Sequence, residues 1–182
     1  MTVARLITTL LILVCLPLPS HAQTGNGTTL LTITGKITNT NREPFDDFAD
    51  AYFGAQEVEF KDAFELDQKS LEALGTTRHL VSYPDWPKRF EFEGPLLRDV
   101  LAAAGAKGST LIVRALDGYA PEIPVADTEK YPVILALKRD GKYLGLGGYG
   151  PIWVIYPRDD YDELKDEDDS KFVWAVYHIE VR

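Results

Sequence analysis

Residues 30–37 alternate apolar and polar side chains, the period of a half-buried strand. Val58 and Phe60 predict a short strand after residues 45–53, which are too acidic and aromatic to assign. Asp67 is placed to cap a helix running to Leu74, with Leu71 and Leu74 facing inward and Gly75 ending it. Residues 77–83 read as a strand, and Phe90 and Phe92 alternate towards Gly94. Pro95 then stands where a first helical turn tolerates proline, Leu96, Leu97, Val100 and Leu101 recur at helical spacing, and Gly105 closes the helix. Residues 110–116, 119–125, 133–138, 152–156 and 172–181 predict further strands, with Asp140-Gly141 as a tight turn. Many strands, two or three short helices, no strand–helix rhythm and no internal repeat predict an α+β fold with a mixed, mostly β core.

The first 22 residues stand apart from this pattern. A short positive start ending at Arg5, an apolar run over residues 6–18 and the small-x-small sequence Ser20-His21-Ala22 predict an export signal cleaved after Ala22. The apolar run is shorter than the roughly 20 residues a spanning helix needs. Residues 23–29 read as a polar, Gly-rich flexible arm and residues 30–182 as one domain. The expected location is periplasmic or otherwise exported. The only cysteine, Cys15, lies in the leader behind Val14, too large for a lipoprotein signal. The mature chain then has no thiol for a disulfide, a nucleophile or a metal.

Composition otherwise matches a soluble globular protein, 45% hydrophobic and 26% charged, with a formal net charge of −9. Such a surface repels phosphate backbones and anionic lipid, so neither nucleic acid nor membrane insertion is expected.

The segment from Gly145 to Gly150 matches G-x-G-x-x-G letter for letter. In a dinucleotide site those glycines join a strand to a helix whose N-terminus receives the pyrophosphate. Here Pro151 and a β-type run follow, so the expectation is a loop leading into a strand. His79 and His178 belong to no metal spacing. Arg78 offers a planar donor fork to a ligand, or to a surface ion pair in an acidic protein. Residues 159–169 hold eight acids against Lys165 and read as a solvated loop, with partner docking as the second reading. Trp86, Tyr119, Tyr149 and Trp153 lie beside Gly or Pro turns, where aromatic side chains can line the mouth of a pocket. No nucleophile elbow, phosphate loop, zinc helix or paired-carboxylate signature is present, so the residues alone lead to an exported α+β domain with an aromatic-rich candidate pocket.

Three segments together resemble the molybdopterin-binding domain of the sulfite-oxidase family. Phe92-Glu93-Gly94-Pro95-Leu96-Leu97-Arg98-Asp99-Val100-Leu101 with Gly105 is similar to its F-x-G-x-x-L-x-x-L-L helix. Ala115-Leu116-Asp117-Gly118-Tyr119, Ile123-Pro124 and Asp127 are similar to its A-x-D-G-Y, I-P and D run. Ile134-Leu135-Ala136, Asp140-Gly141, Leu144, Gly150-Pro151 and Val154-Ile155-Tyr156-Pro157 are similar to its closing segment. The resemblance implies a mixed α+β fold that buries a pterin cofactor. In the family's enzymes a cysteine thiolate ligates molybdenum; here Ser82 stands near that position, and a hydroxyl is a poor substitute for a soft thiolate. Similar small exported proteins that retain the fold and lose the cysteine look like pterin-binding sensors, so the resemblance implies a partner such as a membrane-bound diguanylate cyclase or phosphodiesterase that makes or breaks cyclic di-GMP.

The expectation is thus a non-catalytic periplasmic sensor that binds a reduced or molybdopterin-like pterin without molybdenum, and that has no catalytic and no metal-ligating residue. Its pterin contacts would be Arg78, His79, Ser82, Trp86, Tyr119, Tyr149 and Gly150. Trp86 would be the stacking platform, Arg78 and His79 in-plane donors, and Tyr119, Tyr149 and the backbone at Gly150 the opposite wall. The alternatives are a small molybdopterin oxidoreductase holding its cofactor without a thiolate, and an adaptor that has lost its ligand.

Overall fold

The computed structural model describes residues 27–182. The expected leader and its cleavage site at Ala22 lie outside the described residues. Among those residues eleven strands and five short α-helices form an α+β fold, as the pattern predicts.

The main sheet has the order β2-β1-β11-β5-β6. It contains β1 (Thr29–Gly35), β2 (Ala63–Asp67), β5 (Thr110–Ala115), β6 (Glu122–Pro124) and β11 (Val176–Val181). Only β1 and β11 run parallel, which brings the two ends of the domain side by side at the centre of the sheet. A second sheet holds β3 (Thr77–Val81), β4 (Phe90–Gly94), β8 (Lys138–Arg139) and β9 (Lys142–Tyr143). The pair β7 (Ile134–Ala136) and β10 (Trp153–Ile155) is buried throughout, with β7 against β4. Leu31, Ile33, Phe92, Leu97, Leu111, Ile134 and Ile155 close one apolar core.

The opposite face of β1 is covered as well, because residues 39–62 fold back across it. Arg42 pairs with Asp50 at 2.6 Å and Glu65 at 2.9 Å, and Phe53 packs edge-on to Phe60 and to His178 of β11. That cover explains how Thr32, Thr34 and His178 are buried on strands that read as half-buried.

Local rules account for the helices that the pattern identifies. Asp67 caps α2 (Gln68–Ala73) by accepting from the Ser70 N–H at 2.8 Å. Helix α3 (Leu97–Ala103) ends with Gly105 at φ +65, the Gly105 N–H on Ala102 and the Ala106 N–H on Leu101, a Schellman close. Asp140 and Gly141 both take positive φ, as a type I′ hairpin between β8 and β9 requires.

Four expectations are corrected. Pro95 precedes the N-cap residue Leu96 and is not in the first helical turn. Val58 and Phe60 form no strand; their backbones close the turn after α1 (Ala51–Ala55) and bond to Phe45, and the ladder forms at residues 63–67. The strand expected over 119–125 is confined to Glu122–Pro124, because Val125 starts α4 (Val125–Lys130). The last strand begins at Val176 and not at Phe172: Phe172 N–H bonds to Asp169 in a turn, and Ala175 takes φ +52.

Candidate ligand pocket

Four loops converge on a cavity of about 300 Å³ whose lining includes Trp86, Tyr119, Tyr149, Trp153, Phe172 and Trp174. Trp86 sits in the turn between β3 and β4, where its N–H bonds to Tyr83. Its ring packs on Tyr83, Phe90, Phe92 and Trp153 at centroid distances of 5.5 to 5.9 Å. Trp86 is therefore part of the aromatic core and part of the pocket wall at once. Trp153 opens β10, and its indole N–H donates to the Phe172 carbonyl at 2.9 Å. Burial pushes the hydroxyl of Tyr83, against which Trp86 packs, up to about 12.

The glycine loop provides the next wall and, as expected, leads through Pro151 into a strand. A helix would be needed for a dinucleotide site, so that reading is excluded for this loop. Gly150 is buried, and a Cβ there would stand 2.4 Å from the Leu144 carbonyl, so only glycine allows the close approach. The Tyr149 carbonyl accepts from Ala175 N–H at 3.0 Å, fixing Tyr149 beside Trp174. The third wall is the turn after β5. There Asp117 accepts from the Tyr119 N–H at 3.0 Å, and the Tyr119 hydroxyl donates to the Ser170 carbonyl at 2.9 Å.

Trp86, Tyr119 and Tyr149 thus share one pocket, with Gly150 directly behind Tyr149. Arg78, His79 and Ser82 are placed elsewhere. Register sets Arg78 opposite Glu93, to which its guanidinium is bound at 3.0 Å, over a separate cavity of about 180 Å³. His79 is buried, with a ring nitrogen 2.7 Å from the Pro132 carbonyl. The Ser82 hydroxyl donates to the Asp159 carboxylate at 3.2 Å, and Arg89 holds that same carboxylate at 3.0 Å.

Most of residues 159–169 is exposed, in keeping with the reading as solvated, but the segment is anchored at particular side chains. Asp159 is tied inward, Leu164 of α5 (Asp162–Lys165) is buried in the core, and Lys171 bridges Asp127 and Glu167. Only part of the segment is free surface.

Sequence reasoning passed over Phe172 and Trp174, although their i, i+2 spacing in an extended run could have placed them on one face. Asp117, Asp169 and Ser170 also line the cavity, and no lysine or arginine does. The wall therefore offers aromatic faces and hydrogen-bond acceptors.

These donors and acceptors can be compared with a pterin cofactor. A flat bicycle with donor groups on its edge fits aromatic faces beside carboxylates. A thiolate-held molybdenum does not fit: Cys15 is the chain's only cysteine, the Ser82 hydroxyl is engaged by a carboxylate, and the described residues hold no cluster of three or more metal-binding side chains. A phosphate tail meets no cation in the pocket.

No protein-family model matches the chain, and no curated protein does. Among solved structures, the crystal structure of the sulfane dehydrogenase SoxCD from Paracoccus pantotrophus is similar, with a TM-score of 0.57 and 15% sequence identity. The match covers 88% of this chain and 40% of that one, so the chain spans about two fifths of the enzyme subunit's length. This likeness gives the chain a sulfite-oxidase-like fold. At that identity it carries the fold alone. Among the described residues no helix is long and apolar enough to cross a membrane.

Proposed function

We propose that the chain is a non-catalytic pterin-binding protein, acting after export as a ligand sensor for a membrane signalling partner such as a cyclic di-GMP cyclase or phosphodiesterase. The observation that supports this reading most is the cavity walled by Trp86, Tyr119, Tyr149, Trp153, Phe172 and Trp174 on a sulfite-oxidase-like scaffold. Such a wall suits a flat heterocycle, and buried aromatic faces supply most of the affinity in sites of this size. The donor set of the chain favours metal-free pterin over the molybdenum form, because the residue near the family's cysteine position is a hydrogen-bonded serine. In this reading Tyr149 and Trp174 hold the ring, Trp153 and Trp86 support them from the core, and no residue performs chemistry.

Protein purified from its native compartment tests the reading through mass spectrometry of the released ligand and metal analysis. The expected result is a pterin with no stoichiometric molybdenum. One tightly bound molybdenum per chain would replace the sensor reading with a small oxidoreductase.

A further inference from the structure

We propose that Asp117 and Asp169 select the pterin by its amino edge, so that the pocket discriminates 2-amino-4-oxo rings from 2,4-dioxo rings of the same shape. The inference rests on the pterin reading of the pocket and goes beyond it by naming the selecting groups. Both carboxylates line the cavity, and no cationic side chain there neutralises them. Asp117 spends one oxygen on the Tyr119 N–H and has the other free. Asp169 makes no side-chain hydrogen bond or ion pair with the described residues; its carbonyl alone is used, by Phe172 N–H. The Tyr119 hydroxyl, bound to the Ser170 carbonyl, ties the turn that carries Asp117 to the residue next to Asp169. Two exposed acceptor-only groups with unused lone pairs thereby stand on the lining of one aromatic-walled cavity.

A ring entering such a slot must present donors where the carboxylates are. The 2-amino group and the adjacent N3–H of a pterin form a parallel donor pair that one carboxylate accepts side by side, a charge-assisted bidentate contact. Lumazine has the same bicycle with a carbonyl in place of the amino group. One of its edge atoms would then face a carboxylate oxygen acceptor to acceptor, while its contact with the aromatic wall would be unchanged.

The test is fluorescence titration of the purified protein with pterin and with lumazine, at a mildly acidic pH that keeps both rings neutral. It is carried out for the native chain, Asp117→Asn, Asp169→Asn and the double variant, with melting temperatures measured alongside. The native chain is expected to bind pterin roughly tenfold or more tightly than lumazine, the difference that a charged hydrogen bond supplies. The ratio should shrink in at least one single variant and fall to about threefold or less in the double variant, with lumazine affinity retained. Equal native affinities for the two rings, or a ratio indifferent to both substitutions in folded protein, would overturn the selection and leave pterin binding standing. Binding of neither ring would overturn both.

Discussion

Tyr149 lies flat on Trp153, ring centroids 4.3 Å apart and planes 14° from parallel. The lower ring is buried and pinned through its indole N–H to Phe172, whereas Tyr149 is 46% exposed at the pocket. A loop residue thus becomes a fixed platform, because its ring rests on a core side chain and its carbonyl is bound by Ala175. Pre-set aromatic faces of this kind lower the ordering cost of binding.

Tyr149→Ala and Trp174→Ala should each weaken pterin binding by roughly 1 to 3 kcal/mol, by analogy with base stacking. Both side chains are substantially exposed, so stability should change little. Titration and thermal melting of the two variants check this together. Full affinity in both would remove them from the site.

Trp86→Ala should behave differently. Four aromatic rings pack on Trp86, so its truncation should cost about 3 kcal/mol of stability in denaturant unfolding. An unchanged unfolding midpoint would remove the ring from the core.

The sequence made the hydrophobic frame legible because its signals are local. Asp67 and Gly105 cap helices by contacts within one turn, and Asp140-Gly141 takes the positive φ values that its hairpin needs. Trp86, Tyr119 and Tyr149 were recognisable as aromatics beside turns, and the structure places them together. Arg78 and His79 were not separable from them by sequence, since a pairing register decides that Arg78 meets Glu93. Ser82 was likewise out of reach: its partner Asp159 is 77 residues away. Long-range pairs leave no periodic trace.

The acidic segment should divide into two functional halves. Asp159→Asn removes the charged partner of Ser82 and Arg89 and should lower the melting temperature, since both lose the carboxylate they share. Neutralising the exposed Asp160 and Asp166 should leave stability within about 0.5 kcal/mol. Equal effects from the two sets in thermal melts would contradict the division.

His178 should make the fold sensitive to mild acid. Burial pushes its imidazole down to about 3 from 6.5, helped by the Arg114 guanidinium, with Glu180 opposing. Arg114 can only donate, so the contact at 3.4 Å makes Nδ1 the acceptor and leaves the Nε2 proton for Thr34 at 2.8 Å. The unfolded chain takes up the proton first as pH falls, so His178 contributes stability above pH 6.5 that is lost progressively down to about pH 3. The slope should approach 1.4 kcal/mol per pH unit at most. Urea unfolding of the native chain and His178→Gln between pH 6.5 and 4.5 checks this, with the variant expected to show the flatter dependence.

Tryptophan fluorescence of the purified chain, titrated with a reduced pterin, reads the central claim directly, because Trp86, Trp153 and Trp174 all line the pocket. The account predicts saturable quenching at one site per chain, with the Trp174→Ala protein binding measurably more weakly. No saturable change up to millimolar pterin, in protein that melts cooperatively, would contradict it.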